Sequence, residues 1–179
     1  MNIHPLFVHF PIALLAMYSV LEVVAYFSAT LRRQAWVAPV KSFLLFGGVL
    51  TAFAASSTGE VAEDLIRHVS PRAYIIETHS FFAGAATAAY CVLAAAYLVR
   101  IFETKGWGDR IVGTNSFLIK IWNFKKYVWH FVSDTWLLPF FALLGLVLLT
   151  FAGSLGAAIV YGPDIDPIVS LIYHLFWVQ

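Results

Sequence analysis

The chain has 179 residues, of which 61% are hydrophobic and 12% charged, with a formal net charge of +1, and its mean hydropathy is +0.81. A soluble domain carries roughly twice that share of charge, and a chain this short lacks the interior to hide so much apolar surface, so lipid must cover part of it. The near-neutral balance gives no footing for nucleic acid, and the single cysteine, Cys91, excludes an internal disulfide, a Cys-x-x-Cys metal site and c-type haem attachment.

A helix needs roughly 20 apolar residues to cross about 30 Å of hydrocarbon. The first predicted span runs over 5–31; it has no basic flank ahead of it and no small-x-small cleavage site behind it, so it is expected to be retained. Arg32 and Arg33 close it, and Pro39 and Lys41 open the second span, 40–58. A polar link, 59–72, carries Glu60, Glu63, Asp64, Arg67 and Arg72. The third span, 73–99, ends at Arg100. The connection that follows holds Lys105, Arg110, Lys120, Lys125 and Lys126, and its stretch 117–131 mixes aromatics with lysines, which predicts an amphipathic helix lying in the membrane interface. The fourth span covers 137–161. The tail begins with Pro163, Asp164, Asp166 and Pro167 and then becomes apolar, too short to span. The expectation is an all-α integral membrane four-helix bundle, a single polytopic domain over 1–179. Glycines 47, 48, 145, 153 and 156 are read as close helix contacts, and Pro11 and Pro139 as sites of kinks.

Basic residues crowd one side: Arg32, Arg33, Lys41, Arg100 and those of the long connection, against Arg67 and Arg72 on the other. The positive-inside rule then puts the crowded side in the cytoplasm and both termini outside, in the inner (cytoplasmic) membrane of a bacterium. On this topology five of the six histidines (His4, His9, His68, His79 and His174) share the outer face, and His130 lies on the other.

His9 and His79 are expected at similar depth inside the apolar zone, where an imidazole is costly without a partner. His9 is followed by Ala13 and Ala16, and His79 by Ala83 and Ala86, at the same offsets of four and seven residues. These positions share a helix face with the histidine, leaving room beneath each ring for a flat macrocycle. Two imidazoles at matched height are a ligand set for haem iron. The same residues fit a plain helix–helix contact, and zinc or copper could use the imidazoles with Glu60, Glu63 or Glu77, although no His-x-x-x-His pair supports that. His4 lies about 140° around the helix from His9, so the two cannot share one iron; it would ligate a second cofactor or close the first turn, where Pro5 suits an opening position. Arg67 and Arg72 are candidate partners for haem propionates. Glu22, deep in the first span, is expected to be a neutral structural group bonded to Tyr26 or Ser19, with a proton path as the other reading.

The opening His4-Pro5-Leu6-Phe7-Val8-His9-Phe10-Pro11-Ile12-Ala13-Leu14 resembles the start of a bacterial and archaeal membrane family, the domain of unknown function 2231. Thr58-Gly59 at the end of the second span, the acidic link and Thr78-His79 at the head of the third are similar to it too. The resemblance implies a four-helix membrane protein in an electron-transfer setting, since members stand beside or are fused to Rieske or cytochrome c modules, and it carries over His4, His9 and His79. The expected function is therefore a b-type haem subunit, with one haem or more, that passes electrons near the outer face, within a respiratory or photosynthetic complex. Its partners would be membrane lipids, other subunits, and quinol or an outer cytochrome c. The alternative is a cofactor-free structural or assembly subunit. No nucleophile–base pair or phosphate loop marks an enzyme complete in itself.

Overall fold

The computed structural model describes residues 4–66, 68, 70–133 and 135–177. The described residues form helices and no strand: α1 (His4–Phe27), α2 (Ala29–Arg32), α3 (Val37–Ile66), a 3-10 turn (Ala73–Ile75), α4 (Ile76–Thr104), α5 (Trp107–Val112), α6 (Ser116–Ser133), α7 (Leu137–Tyr161) and α8 (Pro167–Phe176). Four of these, α1, α3, α4 and α7, are long and apolar enough to cross a bilayer. Within their most apolar windows only 28% to 33% of residues are buried, so most of their outward surface needs lipid. The all-α membrane bundle expected from hydropathy is what the chain forms. Boundaries differ at several helix ends, among them the third span, which runs on past Arg100 to Thr104. The first span stops at Phe27, where Ser28 accepts from the Leu31 amide and starts α2. The second continues past Thr58 for two turns, so Glu60, Glu63 and Asp64 lie on helix rather than on a loop. Pro11 sits inside α1, whereas Pro139 is the third residue of α7, where its missing N–H has no helical partner to lose.

The bundle is a ring of two antiparallel hairpins. α1 pairs with α3, α4 pairs with α7, and the hairpins meet through α1 with α7 and α3 with α4. Consequently α1 and α4 face each other across the centre, where Tyr18 meets Tyr90 and Tyr97 edge-on at ring separations of 6.2 and 5.9 Å. The hairpins share one register. In the first, His4 rests on Gly59, and Leu15, eleven residues on, rests on Gly48, eleven residues back. In the second, His79 rests on Gly156, and Tyr90, again eleven residues on, rests on Gly145, again eleven back. Eleven residues are close to three whole helical turns, so each helix shows the same face to its partner at both points. Each seat lies in the pattern Ala-x-Ser-x-Gly: Ala55-Ser56-Ser57-Thr58-Gly59 on α3 and Ala152-Gly153-Ser154-Leu155-Gly156 on α7. The bundle thus contains a parallel repeat whose halves are related by an approximate two-fold along the bundle axis, one of the repeat types known in membrane folds.

One end of the bundle carries the histidines other than His130, and the other carries most of the basic residues. At the basic end, glycines at φ +64° (Gly106) and +54° (Gly113) make the turns around α5, and α6 folds back over α4 and α7. Trp122 and Trp129, seven residues apart, form the buried stripe of α6; Phe117, Phe124, Tyr127 and Phe131 are exposed. Trp129 stacks edge-on to Tyr97 at 5.5 Å. At the histidine end the apolar tail is α8. Asp166 caps it by accepting from the Ile168 and Val169 amides at 2.8 and 3.0 Å, and Val169 and Ile172 bury against Ile75, Leu155 and Ala158. A hydrogen bond between the Tyr74 and Tyr173 hydroxyls ties α8 to the 3-10 turn and holds the Tyr173 phenol above its usual range.

Candidate functional site

The buried face of α1 carries Pro11, Leu15, Tyr18, Ser19, Glu22 and Ala25. His4 shares that face, because eighteen residues, five full turns, separate it from Glu22. On α4 the buried face carries Ala86, Tyr90, Leu93, Ala94 and Tyr97, and His79 stands eighteen residues before Tyr97 in the same way. Tyr97 donates to Glu22 Oε2 across the centre at the basic end. Both histidines therefore stand at the same level of the bundle, about 27 Å along the axis from the Tyr97–Glu22 contact.

Each ring is held against the partner helix of its own hairpin. His79 Nδ1 donates to the Ala152 carbonyl at 2.8 Å, and a Cβ at Gly156 would come 3.1 Å from its Cε1. His4 Nδ1 meets Thr58 Oγ1 at 3.1 Å, that hydroxyl donates to the Ala55 carbonyl at 2.9 Å, and a Cβ at Gly59 would come 3.2 Å from the His4 Cε1. Both imidazoles therefore lie against a glycine; His79 bonds the carbonyl one turn before it directly, and His4 reaches the equivalent carbonyl through the Thr58 hydroxyl. An Nδ1–H bonded to a carbonyl fixes the tautomer that presents an Nε2 lone pair, the arrangement found around ligating histidines. No second hydrogen bond engages His79 Nε2 among the described residues.

The remaining sequence candidates fall elsewhere. His9 is exposed on the face of α1 away from the core, its Nδ1 turned to the Pro5 carbonyl of its own helix. Ala13 is exposed and Ala16 half-buried. Ala83 is half-buried and Ala86 fully buried on the inward face of α4. The small-residue stripes below His9 and His79 thus point in different directions, and the fold does not turn these two rings toward each other. The space between α1 and α4 below the outer pair is filled by Leu15, Tyr18 and Tyr90. Arg67 lies outside the described residues. Arg72 Nη1 donates to the Ile159 and Val160 carbonyls at 3.3 and 3.4 Å, capping α7 where Gly162 turns the chain at φ +103°. Arg72→Gln is expected to cost about 1 kcal/mol, the usual worth of a cation at a helix C-terminus, and to speed amide exchange in the last turn of α7; unchanged exchange there would show the cap to be idle. His68 and His174 are exposed, and His130 bonds Glu103 at 3.2 Å. Among the described residues no three His, Cys, Asp or Glu side chains gather as a metal site.

Glu22 corrects its sequence reading. Its carboxylate bonds neither Tyr26, which is exposed, nor Ser19, which bonds Tyr90 at 2.8 Å. It pairs with Lys41 Nζ at 3.0 Å, and both side chains are buried. Lys41 looked like an interfacial flank because only four residues of α3 precede it; in the register of the first hairpin it stands eighteen residues before Gly59, opposite Glu22. The Tyr18 hydroxyl lies near Glu22 and Tyr97 without hydrogen-bond geometry to any described group.

No match was found in searches of the curated proteins and of the solved structures. The family model described as predicted membrane protein, domain of unknown function 2231, matches residues 1–166. With nearly the whole length matched and four helices long and apolar enough to cross a membrane, the chain belongs to that family of membrane proteins.

Proposed function

We propose that this chain is a b-type haem membrane subunit that transfers electrons near the histidine end of its bundle, with His79 and His4 as the residues that would hold the haem. What supports the reading is the repeat-related pair of imidazoles, each seated on a glycine, with His79 bonded to the carbonyl one turn before it and His4 joined to the equivalent carbonyl through Thr58. The donor chemistry fits: two imidazoles are a ligand set for haem iron, and the Ala152 carbonyl orients His79 and raises the basicity of its Nε2. Bound haem would supply one-electron chemistry inside the membrane. Arg72, through the guanidinium nitrogens not spent on α7, and Arg67 are the candidate propionate partners. His9, on the opposite face of α1, would need its counterpart from another chain.

The basic residues at the other end favour a cytoplasmic position for it, which sets the histidine end and both termini outside in an inner (cytoplasmic) membrane. Electrons would be exchanged there with quinol or an outer cytochrome c, inside a larger respiratory or photosynthetic complex. A cofactor-free structural subunit is the second reading, favoured by the filled centre around Tyr18 and Tyr90, which stands without any added group. A dithionite-reduced minus oxidised spectrum of the purified, fully matured protein separates the two. The haem reading expects a sharp b-type α-band; a flat spectrum leaves the structural subunit.

A further inference from the structure

At the basic end a cavity of about 360 Å³ opens between the ends of α1, α3, α4, α6 and α7. That volume falls within the range of small-molecule sites. Three cations line it: Arg32, Lys41 and Arg100. The two carboxylates among its described lining residues are already engaged, Glu22 by Lys41 and Tyr97 and Glu103 by His130. Arg32 and Arg100 make no ion pair or side-chain hydrogen bond with any described residue. Lys41 spends one N–H on Glu22, and nothing else in the described chain accepts from the other two. Val37, Leu138 and Pro139 give the cavity an apolar wall, and Trp129, an interfacial residue type, stands beside it.

We propose that this cavity holds the phosphate of an anionic phospholipid from the adjoining leaflet, with Arg32 and Arg100 at its mouth and Lys41 at its floor. Guanidinium groups match phosphate oxygens in pairs, and basic pockets between membrane helices take anionic headgroups. The apolar wall receives the glycerol and the roots of the acyl chains, which a soluble anion does not have. Glu22 then has a purpose beyond pairing: it fixes a lysine at the floor of the site.

The test uses the full chain, delipidated in a neutral detergent, and compares phosphatidylglycerol, phosphatidylcholine and inorganic phosphate by thermal unfolding and native mass spectrometry. Phosphatidylglycerol should bind at one per chain and raise the unfolding temperature, while the other two leave it unchanged. In Arg32→Gln/Arg100→Gln the affinity should fall at least about tenfold, since each charge-assisted bond is worth roughly that factor. Lys120→Gln/Lys125→Gln on exposed α6 should bind like the original chain. Both arginines are exposed, so the double variant is expected to fold. Equal stabilisation by phosphatidylcholine, an equal effect of inorganic phosphate alone, or undiminished binding by the arginine variant would each overturn the proposal.

Discussion

Replacing Lys41 with Met destabilises the protein by about 3–5 kcal/mol, the usual result of stripping one partner from a buried ion pair. The Lys41 ammonium stands 3.0 Å from Glu22 Oε1, and both side chains lie inside the bundle. Without it the Glu22 carboxylate keeps only the Tyr97 hydroxyl as donor in surroundings that hydrate it poorly. The size of the loss therefore reports the stranded charge and not the energy of the bond. Removing both partners distinguishes the two: Glu22→Leu/Lys41→Met should recover most of the loss, because apolar replacements of a buried pair are commonly neutral or stabilising. Denaturant unfolding in detergent micelles gives both numbers. A single variant as stable as the original chain would mean that the pair is not buried in the membrane-embedded protein.

Gly145→Ala is the second large effect, with an expected cost of about 1–3 kcal/mol from overpacking. The new methyl would come 2.8 Å from Tyr90 Cζ. That ring cannot give way easily: it is fully buried, bonds Ser19 and stands edge-on to Tyr18. Because the hairpins share a register, Gly48→Ala should behave alike, its methyl colliding with Leu15, and Leu15→Ala in the same chain should relieve it. Gly84→Ala is the control. No atom lies within 4 Å of a Cβ there, so the better helix propensity of alanine, up to about 1 kcal/mol, acts alone. Equal tolerance of Gly84→Ala and Gly145→Ala would contradict the register.

These glycines show how far the sequence could be read. Hydropathy located all four spans, because about 20 apolar residues in a row have few other uses, and Gly48, Gly145 and Gly156 are the close contacts they were read as, whereas Gly47 and Gly153 meet the neighbouring helix only at ordinary distance. Their spacing held more. Gly48 and Gly59, like Gly145 and Gly156, are eleven residues apart, and Ala-x-Ser-x-Gly occurs at both seats; the repeat was present in the letters but too sparse to stand out against so many small residues. The choice of His9 over His4 failed for a different reason. Matching alanine offsets say which residues share a face, not whether that face turns inward. Glu22 could have decided it, since a carboxylate in a span must face the interior, and five full turns link it to His4 rather than to His9. Lys41 was hidden by its position in the chain: a lysine four residues into a span is usually an interfacial anchor, and only its pairing with α1 shows that it is buried.

The exchange of His9 for His4 is also where the account is most exposed. Reduced-minus-oxidised spectra of His4→Ala, His79→Ala and His9→Ala, recorded on equal amounts of folded protein, test it directly. The account predicts that the first two lose or broaden the α-band and the third keeps it. A band that survives loss of His4 and disappears with His9 would contradict the inward pair and move the ligand to the lipid-facing side of α1.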